Sequence, residues 1–451
     1  MRRAYDVTSV RAAEGAALAE LPEGALMQRA AAGLATVCAR LLGRVYGARV
    51  LLLVGSGDNG GDALYGGARL AARGARVEAL LLGSRAHEAG LAALRRAGGT
   101  VVESVAGRPP DLVVDGITGI GGSGGLREAA AAAVAALPSS ALVVAVDVPS
   151  GVDADTGEVS GPAVRADVTV TFGALKPAHL LFPAMHKCGR VVLADIGIEA
   201  EAAWREIAPP DLPPVDPGAH KYSRGLVHAL AGEMPGAIAL AATAAARAGA
   251  GYVRVSTSRH IENLPAAVVQ VGTAEVNDER IGCLLVGPGM GVIPPLVTLA
   301  LTSKAPKVLD ADAISHLGEP NRLKGQDAIV TPHEGEFRRL FGEIDGTKPE
   351  RALEAARRSG AVIVYKGADT VVASPDGRVG FRPPAPAWLA SAGTGDVLAG
   401  IIAALRARGM PAFEASCAGV WLQARAAEIA GPQMIADDLA QALGDAIGSL
   451  A

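Results

Sequence analysis

Aromatic side chains are scarce here: Phe, Trp and Tyr make up 3% of 451 residues. A core cannot be built around stacked rings and must come from Ala, Val and Leu. Cysteine is nearly as rare. Cys38, Cys188, Cys283 and Cys417 lie far apart with no CxxC pair, the usage expected of reduced, mostly buried thiols in a cytoplasmic protein. Charge of one sign is also missing. With 42 Lys and Arg against 46 Asp and Glu, there is no basic footprint for nucleic acid and no polybasic anchor for a membrane. Nor is there a charge-free apolar run of the ~20 residues that span a bilayer. The segment from Ala4 to Glu20 carries Asp6, Arg11, Glu14 and Glu20, so it does not read as a signal peptide.

What is present is length and alternation. A chain of 451 residues exceeds what one core usually organises, so two domains of ~200 residues each are expected. The first ~45 residues have leucines at helical spacing and read as helix. RVLLLVG (Arg49 to Gly55), RVEALLL, DLVVD (Asp111 to Asp115) and LVVAVD (Leu142 to Asp147) are short apolar runs of the kind that buried parallel strands show, with helical Ala-rich segments between them. Five prolines within Ala208 to His220 break the pattern and predict a linker over 208–219. The alternation then restarts with LVHALAG, YVRVS, CLLVG, KVLDAD, AIVT and VIVYKG, and ends in helices from about Gly395. The reading is α/β twice over: a domain over 1–207 and another over 220–451, each a parallel sheet covered by helices.

In the first half, a strand runs directly into GSGDNGGDALYGG. Glycines there let the backbone approach a ligand and aim successive N–H groups at it, and the following helix adds its positive end. No Walker lysine follows, and ordinary Rossmann and P-loop readings fit the loop poorly. Asp115 ends a second strand before a glycine-rich loop (Gly116 to Gly125), and Asp147 ends a third before Pro149–Ser150–Gly151. Loops at strand carboxyl ends are where open α/β sheets bind ligands.

GSGDNGGD, VVDGITGIGG, DVPSGVDADTG and FGALKPAHL, in that order, resemble the NAD(P)H-hydrate epimerase domain, which is Rossmann-like and interconverts the R and S forms of hydrated nicotinamide cofactor. The resemblance implies that Asp58, Asn59, Gly60, Gly61 and Asp62 line the cofactor phosphates. It makes Gly119, Ile120, Gly121, Gly122, Ser123, Gly124 and Gly125 a second ligand loop. It further implies that Asp147 acts on the hydrated ring, and that Asn59, Asp115 and Ser150 give oxygens to a potassium ion (K+), a hard cation suited to hard donors. Asp58 departs from the asparagine usual there.

In the second half the strongest signal is SAGTGDVLAG, where Gly393 and Gly395 flank Thr394 before Asp396 at the start of a long helix. Such a helix start binds anions through free N–H groups and the macrodipole, and a carboxylate in its first turn can take a proton from a substrate hydroxyl. With HKYSRG, MPGAIALAA, LLVGPGMG, TPHEGEFRRL and YKGADTVVASPDG, it resembles the ADP/ATP-dependent NAD(P)H-hydrate dehydratase domain, a ribokinase-like fold. The resemblance implies contacts of Ala237, Gly289, His333 and Asp396 with the hydrated cofactor. It places the adenine nucleotide on Lys366, Gly367, Ala368, Asp369, Thr370 and Gly395, with Mg2+ accompanying ADP or ATP. Glu233 stands where a small hydroxyl residue is common.

The combined expectation is a cytoplasmic repair enzyme, a homo-oligomer acting on small molecules only. It epimerises hydrated NADH or NADPH and dehydrates the S form. The second reading is a ribokinase-like small-molecule kinase with an N-terminal nucleotide-binding module.

Overall fold

The computed structural model describes residues 3–105, 108–122, 124–199, 204–272, 275–383 and 385–450. Its contacts divide the chain into two compact units, 2–203 and 204–451. The expected boundary at 207/208 is therefore displaced upstream, because Trp204–Glu206 forms a strand of the second unit. The proline-rich stretch is not a free tether either. Leu212 packs against the second unit's core, and the Pro213 carbonyl accepts from Arg408 at 2.6 Å.

The N-terminal unit begins with a two-residue strand β1 (Arg3–Ala4), then α1 (Val7–Glu20) and α2 (Ala25–Leu42). Where the sequence reads as one helical stretch there are two helices, broken at Pro22 and at Gly24, whose φ is +77°. The alternation follows as β2 (Arg49–Val54), α3 (Asp58–Ala71), β3 (Arg76–Leu81), α4 (Glu88–Arg96), β4 (Thr100–Val102), β5 (Leu112–Gly116), α5 (Glu128–Ala135), β6 (Leu142–Val146), β7 (Val168–Phe172), the single turn α6 (Met185–Cys188) and β8 (Arg190–Ala194). The seven-stranded sheet has the order β4-β3-β2-β5-β6-β7-β8, and every pair is parallel. Residues 50–54 are buried on both sides of their strand, which is why that run shows no apolar–polar alternation.

The C-terminal unit opens with β9 (Trp204–Glu206). It continues as β10 (Leu226–Leu230), α7 (Pro235–Arg247), β11 (Tyr252–Ser256), β12 (Val268–Val271), β13 (Ile281–Val286), α8 (Pro294–Thr302), β14 (Lys307–Leu309), α9 (Asp312–Leu317), β15 (Ala328–Val330), α10 (Glu334–Phe341) and α11 (Lys348–Ser359). It closes with β16 (Val362–Tyr365), β17 (Thr370–Ala373), β18 (Val379–Arg382), α12 (Thr394–Ala407), α13 (Ala412–Ala430), α14 (Ala436–Gln441) and α15 (Leu443–Gly448). Its sheet runs β9-β18-β17-β16-β15-β14-β13-β10-β11-β12, parallel except where β17 lies antiparallel between its neighbours.

The poverty in aromatics shows in how this core packs. Ala241, Ala244, Ala245, Ala403 and Ala404 are fully buried between α7 and α12. Small side chains let the two helices approach so closely that a Cβ on Gly400 would lie 2.1 Å from the Ala241 carbonyl oxygen. That contact seats α12, and with it Asp396, over the sheet.

Candidate active sites

In the N-terminal unit the loops after β2, β5 and β6 leave adjacent strands of one parallel sheet, so they meet at its carboxyl edge. They enclose a cleft of about 770 Å³. Gly57, Asp58, Asn59 and Asp62 line it from the start of α3, Gly119 to Gly122 and Gly125 from the second loop, and Asp147 from the third. Gly57 caps α3, so the first amides of the helix point into the cleft without helical partners. Gly60 and Gly61 shape the turn into the helix. Their amides bond back to the Gly57 carbonyl, and a Cβ on Gly60 would lie 2.3 Å from the Gly55 carbonyl oxygen. They permit the tight entry of the helix. Ser123 lies outside the described residues, and Gly124, at φ +80°, turns the loop.

The expected potassium ligands come together. Fully buried Asp115 accepts from the Ser150 amide at 2.8 Å, the Ser150 hydroxyl at 2.6 Å and the Ile117 amide at 3.3 Å. The Asn59 amide group donates to the Val146 and Thr118 carbonyls, and the Thr118 amide donates to Ser150 Oγ. The bonded partners of Asp115 are all neutral, and burial lifts its carboxyl to about 6. An oxygen-rich pocket around an uncompensated carboxylate suits a monovalent hard cation.

Asp147 sits at φ +65°, a conformation that Asp adopts more readily than most residues. Its Oδ1 accepts from Lys176 Nζ at 2.5 Å, Thr171 Oγ1 at 2.9 Å and the Phe172 amide at 3.4 Å. His179 Nε2 donates to the Asp147 carbonyl at 2.7 Å, while its Nδ1 accepts from the Lys176 amide. That fixes a neutral tautomer, and burial pushes the imidazole down to about 4. Neither Lys176 nor His179 was assigned a role from sequence. The signal was FGALKPAHL, just beyond a strand whose end meets Asp147.

In the C-terminal unit, β10, β13, β14, β15 and β16 are neighbours in that order, and their carboxyl ends carry the second constellation. Met234 N bonds to the Gly289 carbonyl, and the tight turn at Gly289 (φ +61°) sets it against Ala237. Asp396 lies in the first turn of α12, capped by Gly393. The first intrahelical bond runs from the Val397 amide to the Gly393 carbonyl, so the amides of Thr394, Gly395 and Asp396 precede the ladder and can receive an anion. Burial, with Asp310 next in weight, raises the Asp396 carboxyl to about 7.

Lys366 stands close to this carboxylate. It bonds Asp310 Oδ1 at 2.8 Å, and a Cβ on Gly395 would lie 3.4 Å from its Nζ. Asp310, anchored also by Thr331 Oγ1 at 2.6 Å, and Glu336 are cluster members that sequence reasoning missed. KVLDAD was legible as a strand, but not as the bearer of Lys366's partner. Asp369 is held by Lys348, through its carbonyl at 2.6 Å and its carboxylate at 2.7 Å, while Gly367 and Ala368 are exposed and Thr370 begins β17. His333 caps α10, its Nδ1 accepting from the Gly335 amide at 3.0 Å, and Glu336 returns the bond to the His333 amide at 2.9 Å. The cap holds the ring at the mouth of the cluster, with its side chain 58% exposed.

The cysteines take no part. All four are free, and burial pushes Cys38, Cys188 and Cys283 up to about 12. Among the described residues, no cluster of three or more His, Cys, Asp or Glu forms a metal centre, and no helix is long and apolar enough to cross a membrane.

Fold and sites define the class: a Rossmann-like unit joined to a ribokinase-like unit, each presenting a carboxylate beside an anion-receiving helix start. Residues 227–448 match the family model for NAD(P)H-hydrate dehydratase, and residues 23–178 match that for the YjeF-related protein N-terminus. The bifunctional NAD(P)H-hydrate repair enzyme Nnr of Mycobacterium tuberculosis (strain ATCC 25618 / H37Rv) is 44% identical over 447 residues, covering 92% of this chain and 91% of its own. That of Moorella thermoacetica is 34% identical, covering 88% and 87%. A crystal structure of ADP/ATP-dependent NAD(P)H-hydrate dehydratase from Bacillus subtilis with ATP/Mg2+ is 30% identical. It covers 53% of this chain and 95% of its own, at a TM-score of 0.48. The chain belongs to the family of bifunctional NAD(P)H-hydrate repair enzymes.

Proposed function

We propose that the two sites divide the repair of hydrated NADH and NADPH between them, the N-terminal cleft interconverting the R and S forms and the C-terminal site dehydrating the S form. The observation that carries the reading is the pairing, within one chain of this family, of the Asp147–Lys176 cleft with the Asp396 helix start. The second reaction uses one epimer, and the first supplies it.

At the C-terminal site, Asp396 takes the proton of the ring hydroxyl as the terminal phosphoryl group of ADP or ATP arrives over the amides of Thr394 to Asp396. Those amides and Lys366 stabilise the charge that develops on the phosphoryl oxygens. Phosphorylation turns hydroxide, a poor leaving group, into phosphate, and loss of that phosphate together with a proton from the adjacent ring carbon restores NADH or NADPH. Gly289, Ala237 and His333 border the hydrated ring, and the loop from Lys366 to Thr370 faces the nucleotide. Mg2+, held chiefly by the nucleotide's phosphates with carboxylates of this cluster, would neutralise part of their charge.

At the N-terminal site, the amides at the start of α3 and the loop of Gly119 to Gly125 receive the cofactor's phosphates, and Asp147 faces the ring. Asn59, Asp115 and Ser150 would hold K+, whose charge offsets the carboxylates of the cleft. The unpaired, buried thiols support a cytoplasmic setting.

One assay tests the reading. R-form hydrated NADH is mixed with the protein, Mg2+, K+ and either ADP or ATP, and the absorbance of NADH is followed. Full recovery at a rate above spontaneous epimerisation is expected. Recovery from neither form would refute the dehydratase and with it the coupled repair, and recovery from the S form alone would retire the epimerase.

A further inference from the structure

Asp62 is expected from sequence to line phosphates, yet its surroundings suit a different task. It lies one helical turn after Asp58 on α3 and is 7% exposed. It borders the same cleft as Glu14, Asp58 and Asp147. Its Oδ1 is buried without a hydrogen-bond partner. A buried carboxylate with an orphaned oxygen and three carboxylates nearby is costly, whereas the neutral acid is tolerated. Burial first, and then the charges of Asp147, Asp58 and Glu14, raise its carboxyl well above the usual range. A carboxyl that burial and neighbouring charge favour in its acid form can donate a proton into the cleft it borders.

The reaction needs such a donor. Hydration of an enamine adds the proton to the β-carbon and the hydroxyl to the carbon bonded to nitrogen, so the hydroxyl of hydrated NADH sits on C6, next to N1. The N1 lone pair can expel that hydroxyl only if it leaves as water. Lys176 cannot supply the proton, because its ammonium is committed to Asp147 Oδ1 at 2.5 Å, Thr171 Oγ1 at 3.0 Å and the Phe172 carbonyl at 3.4 Å. The same ammonium keeps Asp147 an acceptor. Two carboxyls set apart in this way by their partners form an acid and a base.

We infer, on the epimerase reading above, that Asp62 is the acid of the epimerisation and Asp147 its base. The Asp62 proton goes to the C6 hydroxyl. The C6–O bond breaks, the N1 lone pair forms the C6=N1 bond, and water departs. Water then adds to the opposite face of C6, the π pair returns to N1, and the added water gives its proton to Asp147. Exchange with solvent returns both carboxyls to their starting states.

The test compares Asp62→Asn with the unaltered full-length protein. Asp62→Asn should lower the epimerase kcat by about 10²-fold or more, in the range of general-acid contributions, with KM nearly unchanged. The unaltered enzyme should lose epimerase activity as pH rises through the Asp62 titration, and the variant's residual rate should lack that limb. Infrared difference spectra should show a protonated-carboxyl band at neutral pH that Asp62→Asn removes. In ¹⁸O-labelled water the C6 hydroxyl should exchange in step with epimerisation. A raised KM at unchanged kcat would make Asp62 a binding residue and overturn the inference. Retention of the carboxyl band in Asp62→Asn, or epimerisation without exchange, would do the same. Failure of the unaltered protein to accelerate epimerisation would instead sink the epimerase reading itself, and this inference with it.

Discussion

At the scale of single residues, each site holds a carboxyl that burial raises above the ordinary range, Asp62 in one and Asp396 in the other. Asp396, at about 7 against an ordinary 3.8, is protonated in the folded protein at pH values where the unfolded chain would have lost the proton. Its contribution to stability is therefore full below about 4 and is lost as pH rises through about 7. Above that point the ionised, half-buried carboxyl is a cost to the fold. Asp396→Asn should raise the melting temperature at pH 8 by about 2–4 °C, with little change at pH 5, while lowering NADH recovery by about 10²–10⁴-fold. In the unaltered enzyme, recovery from the S form should rise with pH through about 7 and then level off. An Asp396→Asn melting curve lower at pH 8 than at pH 5, relative to the unaltered protein, would contradict the assignment. Lys176, 1% exposed, offers the converse case. Lys176→Met strands the Asp147 charge and should destabilise the N-terminal unit by about 3–5 kcal/mol, seen as an earlier urea transition. The single carboxylates and glycines of both sites were legible in sequence, because each ends a strand or starts a helix. Their partners were not. Lys176 lies 29 residues beyond Asp147 and Lys366 lies 56 beyond Asp310, and only the parallel sheet makes them neighbours.

At the scale of elements, position is set where backbone meets backbone. α12 carries Asp396 at its start and Gly400 one turn later, where a Cβ would strike the Ala241 carbonyl of α7 at 2.1 Å. Backbone cannot retreat as a side-chain tip can, so Gly400→Ala must push the helices apart. Dehydratase kcat/KM should fall at least tenfold with the epimerase rate unchanged, and thermal unfolding of the C-terminal unit should come earlier. Gly409→Ala, at the exposed far end of α12, meets nothing within 4 Å. Its φ of +90° costs some stability, but kcat/KM should hold. Equal activity losses in the two variants would show that strain, not helix position, is responsible. Long buried strands and the α12 run were readable from their apolar patterns. The break between α1 and α2 was not, since its leucines keep helical spacing across Pro22 and Gly24. The strand Trp204–Glu206 also escaped, being three residues long with two of them charged. Its assignment depends on β18, more than 170 residues away in sequence, which is also why the unit boundary was read too late.

At the scale of the whole chain, the two clusters are separable. Every group named in the N-terminal cleft lies within 2–203 and every group named in the C-terminal cluster within 204–451. Lesions should then complement in trans. Asp147→Asn, whose side chain tolerates the same positive φ, should recover NADH from the S form and lag on the R form at the spontaneous epimerisation rate. Asp396→Asn should epimerise and recover nothing. An equimolar mixture of the two should convert R-form hydrate to NADH at a rate set by the dilute intermediate, rising with protein concentration toward that of the unaltered enzyme. Recovery by the mixture no faster than by Asp147→Asn alone would mean that the intermediate passes only within one chain, and the independence of the two sites would have to be abandoned.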